Sequence, residues 1–117
     1  MKKINIVTKN TEFNRIITKY KSYRYKDYFI YLEISNELEN YKFGISISKK
    51  ICNAVGRNKI KRQLKNIIDK KIYQNNFNCI IIVRKSILNK TYLEINDDLL
   101  NILTNLGIVK GEKHEEK

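Results

Sequence analysis

A chain of 117 residues with a formal net charge of +12 fits one domain and carries far more positive charge than solubility requires. That excess calls for a polyanionic partner, nucleic acid first and an anionic membrane surface second. The two cysteines form no Cys-x-x-Cys pair and the single histidine, His114, stands in the polar C-terminal run, which argues against a structural metal site.

Cys52 and Cys79 border apolar, strand-like runs, where reduced, buried thiols are expected. The opening MKKINIVTKN lacks the long apolar region of a signal peptide. The longest aliphatic block, Cys79 to Val83, is too short to span a bilayer. The expectation is a soluble cytoplasmic protein. Proline is absent and glycine sparse, and no linker, repeat or low-complexity tract divides the chain. Residues 1–109 are expected to form the domain and 110–117, KGEKHEEK, a charged flexible tail.

The first predicted element is a helix in TEFNRIITKY. Phe13, Ile16, Ile17 and Tyr20 recur at i, i+3, i+4, i+7 and form one apolar stripe, with Asn10 or Thr11 as its cap. Tyr28–Ser35 is aromatic and β-branched, as strands are, and KSYRY ahead of it is a candidate edge strand. The polar break NELEN reads as a hairpin loop into YKFGISIS. There Phe43, Ile45 and Ile47 point one way, and Gly44, Ser46 and Ser48 the other. One sheet face is therefore oily, and the other is lined by small hydroxyls.

A helix is predicted from about Asn53 to Tyr73, with Asn53 as its N-cap. FNCIIIVRK reads as a buried strand ending in two cations. The last helix opens with Thr91 and Glu94 spaced as a capping box. It carries Tyr92, Ile95, Leu99, Ile102, Leu103 and Leu106 on one side and stops at Gly107. Helix, two or three strands, helix, strand, helix describes an α+β sandwich with one sheet.

The basic helix carries the functional signal. At 100° per residue, Ile60, Leu64, Ile67 and Ile68 share one side, while Asn58, Lys61, Arg62 and Lys65 share another with Arg57 at its margin. Lys59 lies off both. No acid occurs between Glu39 and Asp69, although Lys42, Lys49, Lys50, Arg57, Lys59, Lys61, Arg62 and Lys65 all do. A solvated helix usually interleaves Glu with Lys, and unrelieved like charges repel. A bound polyanion would relieve that repulsion and release its own counterions. The apolar stripe is needed for the core, so it is not free to face lipid.

At these residues the chain resembles the protein subunit of bacterial ribonuclease P. The match is SISKKICNAVGRNKIKRQLK, Ser46 to Lys65, supported by Phe13, the strand ending at Tyr31, and Val83–Lys85. It extends over about residues 8 to 107. Cys52 stands where the family usually has glycine, Ile17 where an aromatic is frequent, Tyr20 where a small residue is common, and Lys59 where the second arginine is usual.

The resemblance implies an α-β-β-β-α-β-α sandwich like the second domain of ribosomal protein S5, with a left-handed crossover around the basic helix. It also implies a partner RNA that is the catalyst, acting with magnesium ions held through the RNA, with no cofactor bound by the protein alone. Removal of the 5′ leader of precursor tRNA is the implied reaction. By similarity Arg57, Asn58, Lys59, Lys61, Arg62 and Lys65 contact the catalytic RNA. The leader lies in a cleft walled by Phe13, Ile17, Tyr31, Ser46, Ser48, Lys49, Lys50, Arg84 and Lys85. Ring faces and cations suit a single strand of variable sequence.

The residues offer no catalytic set of their own. No histidine pairs with a carboxylate, and Asp97 and Asp98 are adjacent on a helix and point apart. No membrane and no obligatory protein partner is indicated. The competing expectations are a structural ribosomal-type protein or RNA chaperone, and a duplex DNA binder.

Overall fold

The aliphatic run at the centre of the chain organises the sheet. In the computed structural model, which describes residues 1–112, β5 (Phe77–Val83) is buried at every position except the half-buried Ile82. A strand covered on both faces has this composition. It pairs antiparallel with β2 (Tyr28–Ile34) and parallel with β3 (Lys42–Ile47), and β1 (Tyr23–Arg24) adds an edge to β2. The order is β1-β2-β5-β3. The segment NELEN is therefore not a hairpin loop: β5 separates the strands on either side of it. Composition marks β2 and alternation marks β3 as strands, but β5, the most apolar, takes the centre.

Three helices complete an α+β fold. Helix α2 (Ala54–Ile68) and helix α3 (Tyr92–Asn105) share a core with one face of the sheet. There Ile60, Leu64, Ile67, Ile68, Ile95, Leu99 and Leu103 meet Phe43, Phe77, Cys79 and Ile81. Burial pushes the Cys79 thiol well above its ordinary pKa. Helix α1 (Asn10–Lys19) lies on the opposite face, where Ile16 and Ile80 are fully buried.

The expected caps appear at two helices. Asn53 accepts a hydrogen bond from the Gly56 N–H, and Thr91 and Glu94 form a reciprocal capping box. Gly107 follows α3 at φ +77°, the left-handed turn that favours glycine. At α1 neither Asn10 nor Thr11 is the cap; Lys9 holds that position without a side-chain bond.

Two boundaries differ from the sequence expectation. Helix α2 ends at Ile68, and Lys71–Tyr73 form β4, which pairs with β6 (Val109–Glu112). The buried Tyr73 hydroxyl donates to the Ile68 carbonyl at 2.6 Å, satisfying an acceptor exposed by the helix end. Lys110, Gly111 and Glu112, assigned above to the tail, are therefore part of a small second sheet; residues 113–117 of that segment, with His114, lie outside the described residues. Among the described residues no helix is long and apolar enough to cross a membrane.

Candidate nucleic-acid interface

Strand direction gathers the cations. Because β3 and β5 are parallel, both end at the same edge of the sheet. Ser48, Lys49 and Lys50 leave β3 there, and Arg84 and Lys85 leave β5 there. All five are exposed. The Ser48 hydroxyl accepts from the Lys50 N–H at 3.2 Å and the Ser48 carbonyl accepts from the Ile51 N–H at 3.1 Å. This turn leads the chain from β3 into α2.

The sheet face toward α1 carries rows of side chains set by the register. One row is Arg24, Phe29, Ile82 and Ser46; the next is Tyr31, Ile80 and Gly44; the last is Glu33, Asn78 and Lys42. Helix α1 covers the last two. A Cβ added at Gly44 would lie 2.8 Å from Ile80 Cδ1 and 3.2 Å from Val7 Cβ, with the Phe13 ring of α1 at 3.4 Å, so glycine makes room for Ile80 and Val7 beneath the start of α1. Phe13, Ile17 and Tyr31 are half-buried. The first row is a shallow strip beside α1 rather than an enclosed pocket, with Phe29, Ile82 and Ser46 half-buried along it.

Two of its groups, Arg24 and Phe29, were not among the residues expected from the sequence, whereas Arg84 was. The Arg84 guanidinium carbon lies 4.5 Å from the Phe29 ring centroid, and that of Arg24 lies 5.9 Å from the same ring. Arg84 also donates to the Tyr25 carbonyl at 3.0 Å, while Ser86 donates to the Lys26 carbonyl at 2.7 Å. These bonds tie the β1–β2 turn to the segment after β5. Phe29 shares the parity of Tyr31 in YFIYLEI, so alternation contained the signal for it. The Arg84 contact depends on cross-strand register and did not.

A buried anchor holds α1 over the sheet. Glu33 receives both terminal nitrogens of Arg15 at 2.8 Å each, the Asn78 amide at 2.9 Å and the Tyr20 hydroxyl at 3.0 Å. The Arg15 bonds, helped by those from Asn78 and Tyr20, hold the Glu33 carboxyl at about 2, below its ordinary range and against the cost of burial. Tyr20, which stands where the resemblance places a small residue, finds its hydroxyl partner here.

On α2, Asn58, Lys59 and Arg62 are exposed, and Arg57, Lys61 and Lys65 are half-buried. Arg57 donates one terminal nitrogen to the Cys52 carbonyl at 2.8 Å, which pins its side chain across the helix start. Ion pairs among the described residues join Arg15 to Glu33, Lys42 to Glu12, Lys71 to Glu112, Lys90 to Asp27 and Asp98, and the Met1 amino group to Asp69. None of these engages Lys49, Lys50, Arg57, Lys59, Lys61, Arg62, Lys65, Arg84 or Lys85. The structure thus presents two basic surfaces, the α2 face and the strip beside α1, meeting at one end of the sheet. Among the described residues no three His, Cys, Asp or Glu side chains gather as metal ligands.

Comparisons with known proteins identify the family and the fold. The family model described as Ribonuclease P matches residues 1–107. The Ribonuclease P protein component of Bacillus cereus strain G9842 is 34% identical over 115 residues, covering 97% of this chain and 100% of the relative. That of Mycoplasma mycoides subsp. mycoides SC is 37% identical over 106 residues, 88% of this chain and 96% of the relative. A Staphylococcus aureus RNase P protein mutant with defective mRNA degradation activity superposes with a TM-score of 0.80 at 31% identity, covering 91% of each chain. The Thermotoga maritima RNase P protein shares the fold at a TM-score of 0.72 and 20% identity, over 85% of this chain and 94% of that one.

Proposed function

This chain belongs to the ribonuclease P family, and from that membership we propose that it is the protein subunit of a ribonucleoprotein that removes the 5′ leader from precursor tRNA. The face of α2 formed by Arg57, Asn58, Lys61, Arg62 and Lys65, with Lys59 beside it, docks on the catalytic RNA. The strip between α1 and the sheet holds the leader, with Phe13, Ile17 and Tyr31 on one side and Ser46, Ser48, Lys49, Lys50, Arg84 and Lys85 at its open end.

The observation that carries this reading is the convergence of carboxylate-free cations with half-buried aromatic rings at one end of the sheet. Phosphates gain from the cations, and bases of any sequence gain from the rings. Phe29, between Arg24 and Arg84, belongs to the same surface. The hydrolytic step rests with the RNA and its magnesium ions; the protein's residues bind, orient and neutralise charge.

Cleavage of a leader-bearing precursor tRNA by the partner RNA at low magnesium, with and without the protein, tests this. Stimulation by the protein that grows with leader length is expected. Absence of stimulation overturns the proposal. Equal acceleration of annealing between unrelated RNAs, without leader dependence, favours a general chaperone.

A further inference from the structure

Apart from the two basic surfaces, an apolar groove has no role assigned so far. A groove of about 400 Å³ runs between α2 and the segment that opens α3. Its floor is Ile60, Ile87 and Ile95, all buried. Its walls include Leu88 and Tyr92, which remain 46% and 41% exposed. Apolar surface gathered in this way marks a binding site more often than a solvated surface.

We propose that this groove receives one unstacked base of the catalytic RNA. The inference rests on the proposed function and adds to it a contact of a different kind, stacking instead of phosphate neutralisation. Several observations favour a base over a peptide. No carboxylate lines the groove. Lys59 stands at its rim, exposed and in none of the ion pairs among the described residues. Lys70 Nζ lies 5.6 Å from the centre of the Tyr92 ring, so a cation already sits on one side of that ring system. The local field therefore favours an anionic chain.

The groove is also continuous with the cationic face. Lys59 follows Asn58 and Gln63 follows Arg62, so a backbone held on that face passes one helix side away. The Gln63 side chain lines the groove and makes no hydrogen bond among the described residues. Its amide offers both a donor and an acceptor to a base edge.

The test uses the reconstituted complex of the full chain with its catalytic RNA. Tyr92→Ala is expected to weaken RNA binding about tenfold while leaving the salt slope unchanged, because no phosphate contact is lost. Tyr92→Phe restores binding, and Gln63→Ala, which removes no buried apolar group, weakens it with the fold intact. Base-specific chemical probing of the RNA should show one nucleotide protected by wild type and reactive with Tyr92→Ala. An abasic substitution there should cause the same loss, with no further loss when combined with Tyr92→Ala. Wild-type affinity in folded Tyr92→Ala, or no nucleotide whose protection depends on Tyr92, overturns the groove assignment. So does a wild-type dimer that Tyr92→Ala converts to monomer without changing RNA affinity. A wild-type protein that binds no RNA overturns the underlying functional reading instead.

Discussion

Arg84 holds its guanidinium carbon 4.5 Å from the centre of the Phe29 ring, across the register that pairs Phe29 with Ile82. The pair combines a charge and a flat apolar face in one exposed unit. We expect Arg84→Ala to weaken binding of leader-bearing precursor tRNA to the holoenzyme about tenfold, with little change for mature tRNA. Arg84→Lys, which keeps the charge but loses the plane, should fall between. Equilibrium binding of the two RNAs decides this, and equal losses for both refute a leader contact.

Arg62 is exposed on α2 and takes part in none of the ion pairs among the described residues. Arg62→Ala should weaken binding to the catalytic RNA and reduce the slope of log affinity against log salt by about one. A titration across salt concentrations measures it. An unchanged slope places Arg62 off the phosphates.

The Glu33 anchor predicts an acid-sensitive contribution to stability. Its carboxyl is held at about 2 in the folded state, against an ordinary 4.5. The contribution is therefore complete above about pH 4.5 and is lost as pH falls toward 2. Arg15 keeps 45% of its side-chain surface in water, which tempers the magnitude. Glu33→Gln should cost about 2 kcal/mol at pH 7. Urea unfolding from pH 7 to pH 2 should show the wild type losing its advantage and converging on the variant. A constant difference across that range excludes ionised Glu33 as the source.

Gly44→Ala tests the tight packing of Ile80 and Val7 over Gly44. The new methyl would meet Ile80 Cδ1 at 2.8 Å and Val7 Cβ at 3.2 Å. Ile80 is fully buried, so the overlap must be relieved by displacing its side chain and the Val7 segment. We expect a loss of about 1–3 kcal/mol in urea stability, outweighing the chain-entropy gain of removing a glycine. Leader affinity should fall as well. Unchanged stability would show that Ile80 and Val7 adjust freely.

Much of this molecule was legible residue by residue. The oily stripe of α2 and its cationic neighbour follow from a local period of 3.6, so Ile60, Leu64, Ile67 and Ile68 are buried as expected. The capping box at Thr91 and Glu94 is likewise a local pattern. What escaped depends on partners distant in sequence. Alternation shows that Phe43 lies on a strand but not that Cys79 is its neighbour. The end of α2 is marked by Tyr73, whose hydroxyl bond to Ile68 appears only once the chain has turned. Arg15 and Glu33 are 18 positions apart, and nothing in either segment announces the pairing.

The connection from β3 into α2 has a mechanical consequence. Only Ile51, Cys52 and Asn53 separate Lys50 from the first residue of α2. That link is braced by the Ser48 turn and the Arg57 bond to Cys52. On the proposed function, the surface for the leader and the surface for the catalytic RNA would therefore be held like two jaws of a fixed caliper. The separation between guide and substrate would then be a length built into the protein, and lengthening the link by one residue would shift the cut rather than abolish it.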